Sequence, residues 1–324
     1  MIATLEARKF PVDELVPLAS ERSVGSTVEF HGEEIEVRLA EPSAFDGIDI
    51  VLSSAGGSIS QKLLPEAAAR GAVSIDNTSA FRMDPDVPLV VPEVNAHRIA
   101  DYKTKRIIAN PNCSTIQLVV ALKPLHDAAT VKNVVVSTYQ AVSGGGQKAM
   151  DELFEQTRGL FTQNPTEPKH LPHRIAFNLI PQIDVFLDDG ATKEEWKMRA
   201  ETPKIMEADI DVHATCVRVP VFYSHSEAAW IETARDLSPD EARALLNAAP
   251  GVTVIDEPAE LRYPMPADVA GEDDVAVGRI RRHPGRPHTL AMWIVGDNVR
   301  KGAALNAVQI AEQLIELWQR EGRA

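Results

Sequence analysis

One cysteine stands at the kind of chain position where a thiol becomes reactive. In Arg106-Ile-Ile-Ala-Asn-Pro-Asn-Cys-Ser-Thr-Ile-Gln117 an apolar strand ends in Asn-Pro-Asn, Cys113 follows, and an apolar run opens a helix. A strand-to-helix turn puts Cys113 at the positive end of a helix dipole, among backbone N–H groups with no helical partner. Such a place favours thiolate over thiol and would hold an oxyanion formed beside the sulfur. The same residue could instead be a small buried hydrophobe. His225, in Tyr223-Ser-His-Ser-Glu227 just past an expected strand, is the best candidate proton carrier, or else a surface-loop histidine. Arg218 interrupts the apolar strand Val217, Val219, Val221, which is costly unless a carboxylate or phosphate meets it. That partner could be a ligand or a neighbouring acid. Glu201 and Lys204, three residues apart, could share one face as a site pair or as a solvated pair.

Alternating elements must carry these residues. The spacing predicts a helix over 1–10, a strand over 14–20, a loop over 21–25 and a hairpin over 28–37 around His31-Gly32. Strands follow at 48–54, 72–76, 89–91 and 107–109, with a helix over 59–70 between the first two. Strand and helix in alternation imply a parallel sheet with helices on both faces. The helix after Cys113 should end near Pro124. Beyond it the texture changes: strands at 132–140, 215–221 and 228–234, a glycine loop at 143–146, a helix over 149–158 and an irregular stretch over 164–174. Ser238-Pro-Asp-Glu241 is a capping box opening a helix through 249. Paired strands at 275–281 and 290–295 and an amphipathic C-terminal helix from Ala304 to Trp318 complete the chain. This second part reads as α+β.

Composition narrows the function classes. The chain has 324 residues, 44% of them hydrophobic and 25% charged, which suits two globular domains. A net charge of −14 makes nucleic acid and anionic membrane poor partners, so an anionic substrate must be met by local Arg and Lys. Two cysteines are too few for a disulfide framework and point to a reduced, cytoplasmic setting. No apolar run approaches membrane-spanning length. Cys113 and Cys216 lack neighbours at metal-ligand spacing, so no metal is expected. Neither a Walker motif nor Gly-x-Gly-x-x-Gly occurs.

Taken together, Ser20-Glu-Arg-Ser-Val-Gly25, Ser54-Ala-Gly-Gly-Ser58, Ser79-Ala-Phe-Arg82, Asn110-Pro-Asn-Cys-Ser-Thr115, Tyr139-Gln-Ala-Val-Ser-Gly-Gly-Gly146, Glu201-Thr-Pro-Lys204, Cys216-Val-Arg-Val-Pro220, His225-Ser-Glu227, Val277-Gly-Arg-Ile280 and Gly296-Asp-Asn-Val-Arg-Lys-Gly-Ala-Ala304 resemble the aspartate-β-semialdehyde dehydrogenases across nearly the whole chain. The resemblance implies an NADP-dependent oxidoreductase. It would interconvert aspartate-4-semialdehyde plus phosphate with aspartyl-4-phosphate through a cysteine thioacyl intermediate, on the way to diaminopimelate, lysine, methionine and threonine. It implies that Cys113 is the nucleophile, His225 the acid/base, and Gln140 the group that orients the carbonyl or a water. Arg218 would hold the substrate carboxylate and Glu201 its ammonium group, while Lys204 and Arg82 would bind phosphate with Asn112 nearby. Arg22 and Ser23 would meet the cofactor 2′-phosphate, and Ala55, Gly56, Ser143, Gly144 and Asn298 would line the rest of the NADP site. The implied fold is α/β: a Rossmann-type dinucleotide-binding domain (1–112 plus 302–324) and an α+β catalytic and dimerisation domain (113–301), assembled as a homodimer or a tetramer of dimers. N-acetyl-γ-glutamyl-phosphate reductase, with the same chemistry on a longer substrate, fits less well, and a non-catalytic relative is the alternative outside enzymes.

One departure accompanies the resemblance. The family opens with a strand and a glycine-rich turn that carries the cofactor pyrophosphate. Here Met1 falls inside what reads as the first helix, so the first strand is missing from the expected sheet. Either an internal methionine is being read as the start or the chain is short. The expectation is weak NADP binding and reduced stability for the 324-residue form.

Overall fold

The computed structural model describes residues 1–322. It divides into two compact units, Met1–Pro111 together with the C-terminal stretch from Ala303, and Asn112–Gly302.

The first unit is built on three parallel strands in the order Ile50–Ser53, Val73–Asp76, Ile107–Ala109. The middle strand is wholly buried, so its two sets of side chains must both be covered. Val73 and Ile75 face the C-terminal helix Leu305–Arg320 through Ala307, Ile310, Ala311 and Leu314. Asp76, one residue out of phase with that set, accepts from Ser60 of helix Gly57–Ala69 on the other face (2.9 Å). The α/β class expected from the alternation is therefore realised. The expected hairpin is also present: Thr27–Phe30 pairs with Glu33–Glu36, and His31 and Gly32 both take positive φ, as a primed two-residue turn requires. Two expected strands are shorter than their apolar pattern suggests. The 14–20 segment contributes only Leu18–Ala19, because Pro17 has no N–H to give a ladder. The 89–91 segment makes a single bridge, Leu89 to Ala109, hemmed in by Pro88 and Pro92.

The second unit holds a six-stranded mixed sheet in the order Val252–Val254, Val275–Arg282, Thr289–Gly296, His225–Thr233, Val131–Gln140, Asp211–Arg218. The outermost pairings are parallel and the inner ones antiparallel. Helix Cys113–Ala129 packs on the sheet, and helix Lys193–Met206 lies against the edge strand Asp211–Arg218. The Cys113 helix does not stop near Pro124 as expected. The ring costs one helical hydrogen bond, but Leu122, Leu125 and Ala129 are buried on either side of it, and their packing outweighs that loss. Two strand boundaries also differ from the pattern: Asp211–Arg218 ends where Pro220 follows, and His225–Thr233 begins at the histidine itself. His225 is thus a fully buried strand residue rather than a loop residue. The C-terminal helix starts at Leu305, and Ala304 belongs to a π-helical turn, Arg300–Ala304, ahead of it.

Candidate active site

The site of the second unit is assembled at the end of the Cys113 helix. Asn112 is the N-cap, with extended backbone, and its Oδ1 accepts from the backbone N–H of Ser114 (3.1 Å) and Thr115 (3.2 Å). Its own N–H donates to Glu201 Oε2 at 2.7 Å. The N–H groups of Asn112, Ser114 and Thr115 are therefore engaged. Cys113 remains partly accessible. Gly302 comes so close that a Cβ there would lie 2.8 Å from Cys113 Cβ, so only glycine lets the backbone pass the thiol.

Strand register brings the next residues together. Gln140 is paired with Arg218 and Thr138 with Cys216 in the parallel ladder, and strand alternation turns all four to one side. Arg218 is buried, and its Nη1 donates to the Ala141 carbonyl at 2.8 Å. No carboxylate among the described residues lies within salt-bridge distance of it. Of the two partners open to it, a neighbouring acid is thereby set aside. Burial works against its charge, and the field of Glu194 supports it. A buried guanidinium left with donors to spare is costly unless an anion completes it.

His225 faces the same place. Its Nδ1 accepts from the Ala141 N–H at 3.0 Å, which fixes the neutral ring as the Nε2–H tautomer, and Nε2 has no partner. Burial, then the charge of Arg218, push its pKa down to about 3, with Glu194 pulling the other way. Ser224, immediately before it, is held at φ 71° and donates its N–H to Asn298 Oδ1 (3.0 Å). Asn298 also exchanges hydrogen bonds with Ser143 Oγ (2.9 and 3.1 Å). Asn298 thus ties the turn Val142–Gly145 to the start of the His225 strand. A Cβ on Gly144 would stand 3.0 Å from Arg218 Nη1 and 3.3 Å from the His225 ring.

Glu201 and Lys204 lie on helix Lys193–Met206, and Glu201 is almost fully buried. In the first unit Arg82 is also buried, with Nε on the Asn110 carbonyl and Nη2 on the Asn77 carbonyl (both 2.9 Å). Arg22 and Ser23 sit in an exposed 3₁₀ turn, Glu21–Ser23. Ala55 and Gly56 form the turn between strand Ile50–Ser53 and helix Gly57–Ala69. Gly56 takes φ +100°, and no atom lies within 4 Å of a Cβ built on Gly56 or Gly57. An open helix N-terminus with such a turn suits the close approach of a dinucleotide.

Sequence reasoning missed one residue of the site. Glu194 Oε1 accepts from Asn112 Nδ2 (2.8 Å) and Gln140 Nε2 (3.0 Å), and its Oε2 accepts from Lys197 (3.0 Å). Burial opposes its ionisation, yet Lys197 and the two amides outweigh it and hold the carboxyl down to about 2. The available signal was Thr192-Lys-Glu-Glu195, a capping box whose helix would carry Glu194 and Lys197 on one face. An accessible thiol, an imidazole N–H without a partner and an uncompensated guanidinium are the parts needed for acyl transfer to sulfur from an anionic substrate.

Comparisons with known proteins agree with that chemistry. Residues 1–102 match the family model described as semialdehyde dehydrogenase, NAD binding domain, and residues 122–301 the one described as semialdehyde dehydrogenase, dimerisation domain. The chain is 57% identical to the aspartate-semialdehyde dehydrogenase of Aquifex aeolicus over 319 residues, covering 97% of this chain and 94% of the relative. It is 52% identical to that of Bacillus subtilis, over 98% and 94%. Among solved structures it superposes with a TM-score of 0.95 on aspartate semialdehyde dehydrogenase II of Vibrio cholerae, at 48% identity and 97% and 94% coverage, including a complex with ASA. The Candida albicans enzyme with NADP gives a TM-score of 0.72 at 25% identity, over 93% and 90%.

Proposed function

The chain belongs to the aspartate-semialdehyde dehydrogenase family, and from that premise we propose that it interconverts aspartyl-4-phosphate with aspartate-4-semialdehyde and phosphate, using NADP. Cys113 attacks the acyl phosphate, the carbonyl carbon bonds to sulfur, and phosphate leaves with the electron pair of the broken C–O bond. Cys113 enters as its thiolate, and His225 donates a hydrogen bond from Nε2–H to the oxyanion of the tetrahedral intermediates, keeping its proton as they form and collapse back to thioester or aldehyde plus thiolate. Gln140 orients the carbonyl. Arg218 completes its hydrogen bonding on the substrate carboxylate, and Glu201 receives the ammonium group. Lys204, with Asn112, holds the phosphate. The nicotinamide cofactor, when bound, supplies the hydride that reduces the thioester. In the first unit Ala55 and Gly56 would hold it, and Arg22 and Ser23 would select the 2′-phosphate of NADP.

The observation that carries this reading is the pairing of a buried guanidinium without a carboxylate partner, Arg218, with the unengaged Nε2 of His225 across Gly144. The domain roles follow: the first unit binds the dinucleotide, and the second holds the chemistry and dimerises through its sheet. Two cysteines outside any disulfide, and thiol chemistry, suit a reducing cytoplasm. Phosphate-dependent reduction of NADP by the purified chain given aspartate-4-semialdehyde tests the reading. Turnover should vanish, at least 10³-fold on the scale of a lost nucleophile, in Cys113→Ala. Turnover that survives this change, or that needs no phosphate, refutes it.

A further inference from the structure

Two amide side chains of the site, Asn112 and Gln140, each work only one way round. Asn112 must point Oδ1 at the N–H groups of Ser114 and Thr115 to cap the Cys113 helix. Gln140 must keep its Nε2 away from Thr138, whose Oγ1 donates to Gln140 Oε1 at 3.1 Å. A carboxamide flips easily, because its two ends are nearly the same size and differ only in hydrogen bonding. Both amides turn their NH₂ ends onto the same atom, Glu194 Oε1. The other oxygen of Glu194 is held by Lys197, which also reaches Asp184 (both 3.0 Å).

We propose that Glu194 is a positioning residue for the reaction: a buried, acceptor-only carboxylate that locks Asn112 and Gln140 in their working orientations at once. The assignment rests on the functional reading above, and it adds a group that does not itself touch substrate. An ionised carboxylate offers acceptors in every direction, so three donors (Asn112, Gln140 and Lys197) converge on it without conflict. A neutral amide of the same shape offers one oxygen and one NH₂. The ammonium of Lys197 is the stronger donor and draws that one oxygen to itself, so the NH₂ end faces Asn112 and Gln140 and both are released to turn. Lys197 and Asp184 complete the device by fixing where the carboxylate sits, since an ion pair this buried holds only with good geometry. Glu194 also places a fixed negative charge near Arg218 and His225, so its loss would be felt by both.

The test is Glu194→Gln, read two ways beside the unmodified chain. In kinetics the variant should lose 10- to 100-fold in kcat with KM for the semialdehyde changed less than threefold. In a Gln140→Ala background the same change should cost at least fivefold less, because its target is already gone. Losses that simply multiply, or a kcat within threefold of the unmodified chain, overturn the proposal. The second readout needs no turnover: the side-chain amide resonances of Asn112 and Gln140 in a 1H–15N spectrum should both move in Glu194→Gln, and either one staying in place overturns the assignment. If the unmodified chain shows no turnover, the functional reading fails while the spectrum still decides the positioning role. Should Glu194→Gln fold poorly, Lys197→Met, which leaves the carboxylate but removes its clamp, should lose three- to tenfold in kcat at unchanged KM, and wild-type kcat there overturns the proposal.

Discussion

At the scale of single residues, the site separates two buried titratable groups that sit two residues apart on a strand. His225 is kept neutral by burial and by Arg218, while Glu227 is driven well above the ordinary carboxylate range by burial alone. Both Glu227 oxygens lack hydrogen-bond partners. The Gln117 side chain lies close enough to favour the ionised form, but no hydrogen bond in standard geometry joins the two. A carboxyl that stays protonated in the fold but ionises on unfolding makes the native state bind the extra proton. Stability contributed by Glu227 is therefore full below the unfolded carboxyl range and falls as pH rises above about 4.3, by up to about 1.4 kcal/mol per pH unit until the native group also titrates. Glu227→Gln removes that dependence. Its melting temperature should exceed that of the unmodified chain by a margin that grows from pH 5 to pH 8, and a margin independent of pH would show that Glu227 is ionised in the fold. His225 titrates in both chains and cancels from the difference.

At the scale of elements, the site is set by close approaches between turns and strand ends. The turn Val142–Gly145 is fastened by Asn298 against the start of strand His225–Thr233, so Gly144 passes directly beside Arg218 and His225. The space a methyl group would need is already filled by groups that the Ala141 backbone holds in place. Gly144→Ala should therefore displace the guanidinium and the imidazole while the sheet stays intact. The expected result is a loss in kcat/KM of tenfold or more with a melting temperature close to that of the parent. Near-normal activity would mean that Arg218 can move without consequence.

At the scale of the whole molecule, the six-stranded sheet leaves one apolar stretch of its face uncovered. Val135 and Trp230 are exposed and directly opposed in the ladder, and Ala228 is opposed to Trp293, whose ring meets Tyr139 at 5.4 Å. Large aromatic side chains seldom stand in water as a group, and this domain matches the family's dimerisation model. Trp230→Glu should convert a dimer to monomer in light scattering, through a charge placed in a dry interface. A variant that keeps the parent's mass would move the interface elsewhere. For the described residues, no helix is long and apolar enough to cross a membrane.

The sequence by itself determined the local facts: which runs alternate, where proline and glycine punctuate them, and that a cysteine sits between a strand and a helix. Those signals are short-ranged, so they yielded the α/β class and the types of the site residues, and the family's shared stretches ordered them. Tertiary structure alone decided what each group meets. The register of two parallel strands faces Gln140 with Arg218, residues 78 apart in chain order. A strand that begins at its histidine takes His225 from the expected loop into the core. A side-chain cap from Asn112 engages the N–H groups of Ser114 and Thr115 at the helix end. Glu194 was illegible for the same reason: a glutamate next to a capping box looks like a solvated helix residue until the fold buries it between two amides and a lysine. Partnership and burial arise only when distant segments close on one another, and pKa, tautomer and amide orientation follow from them.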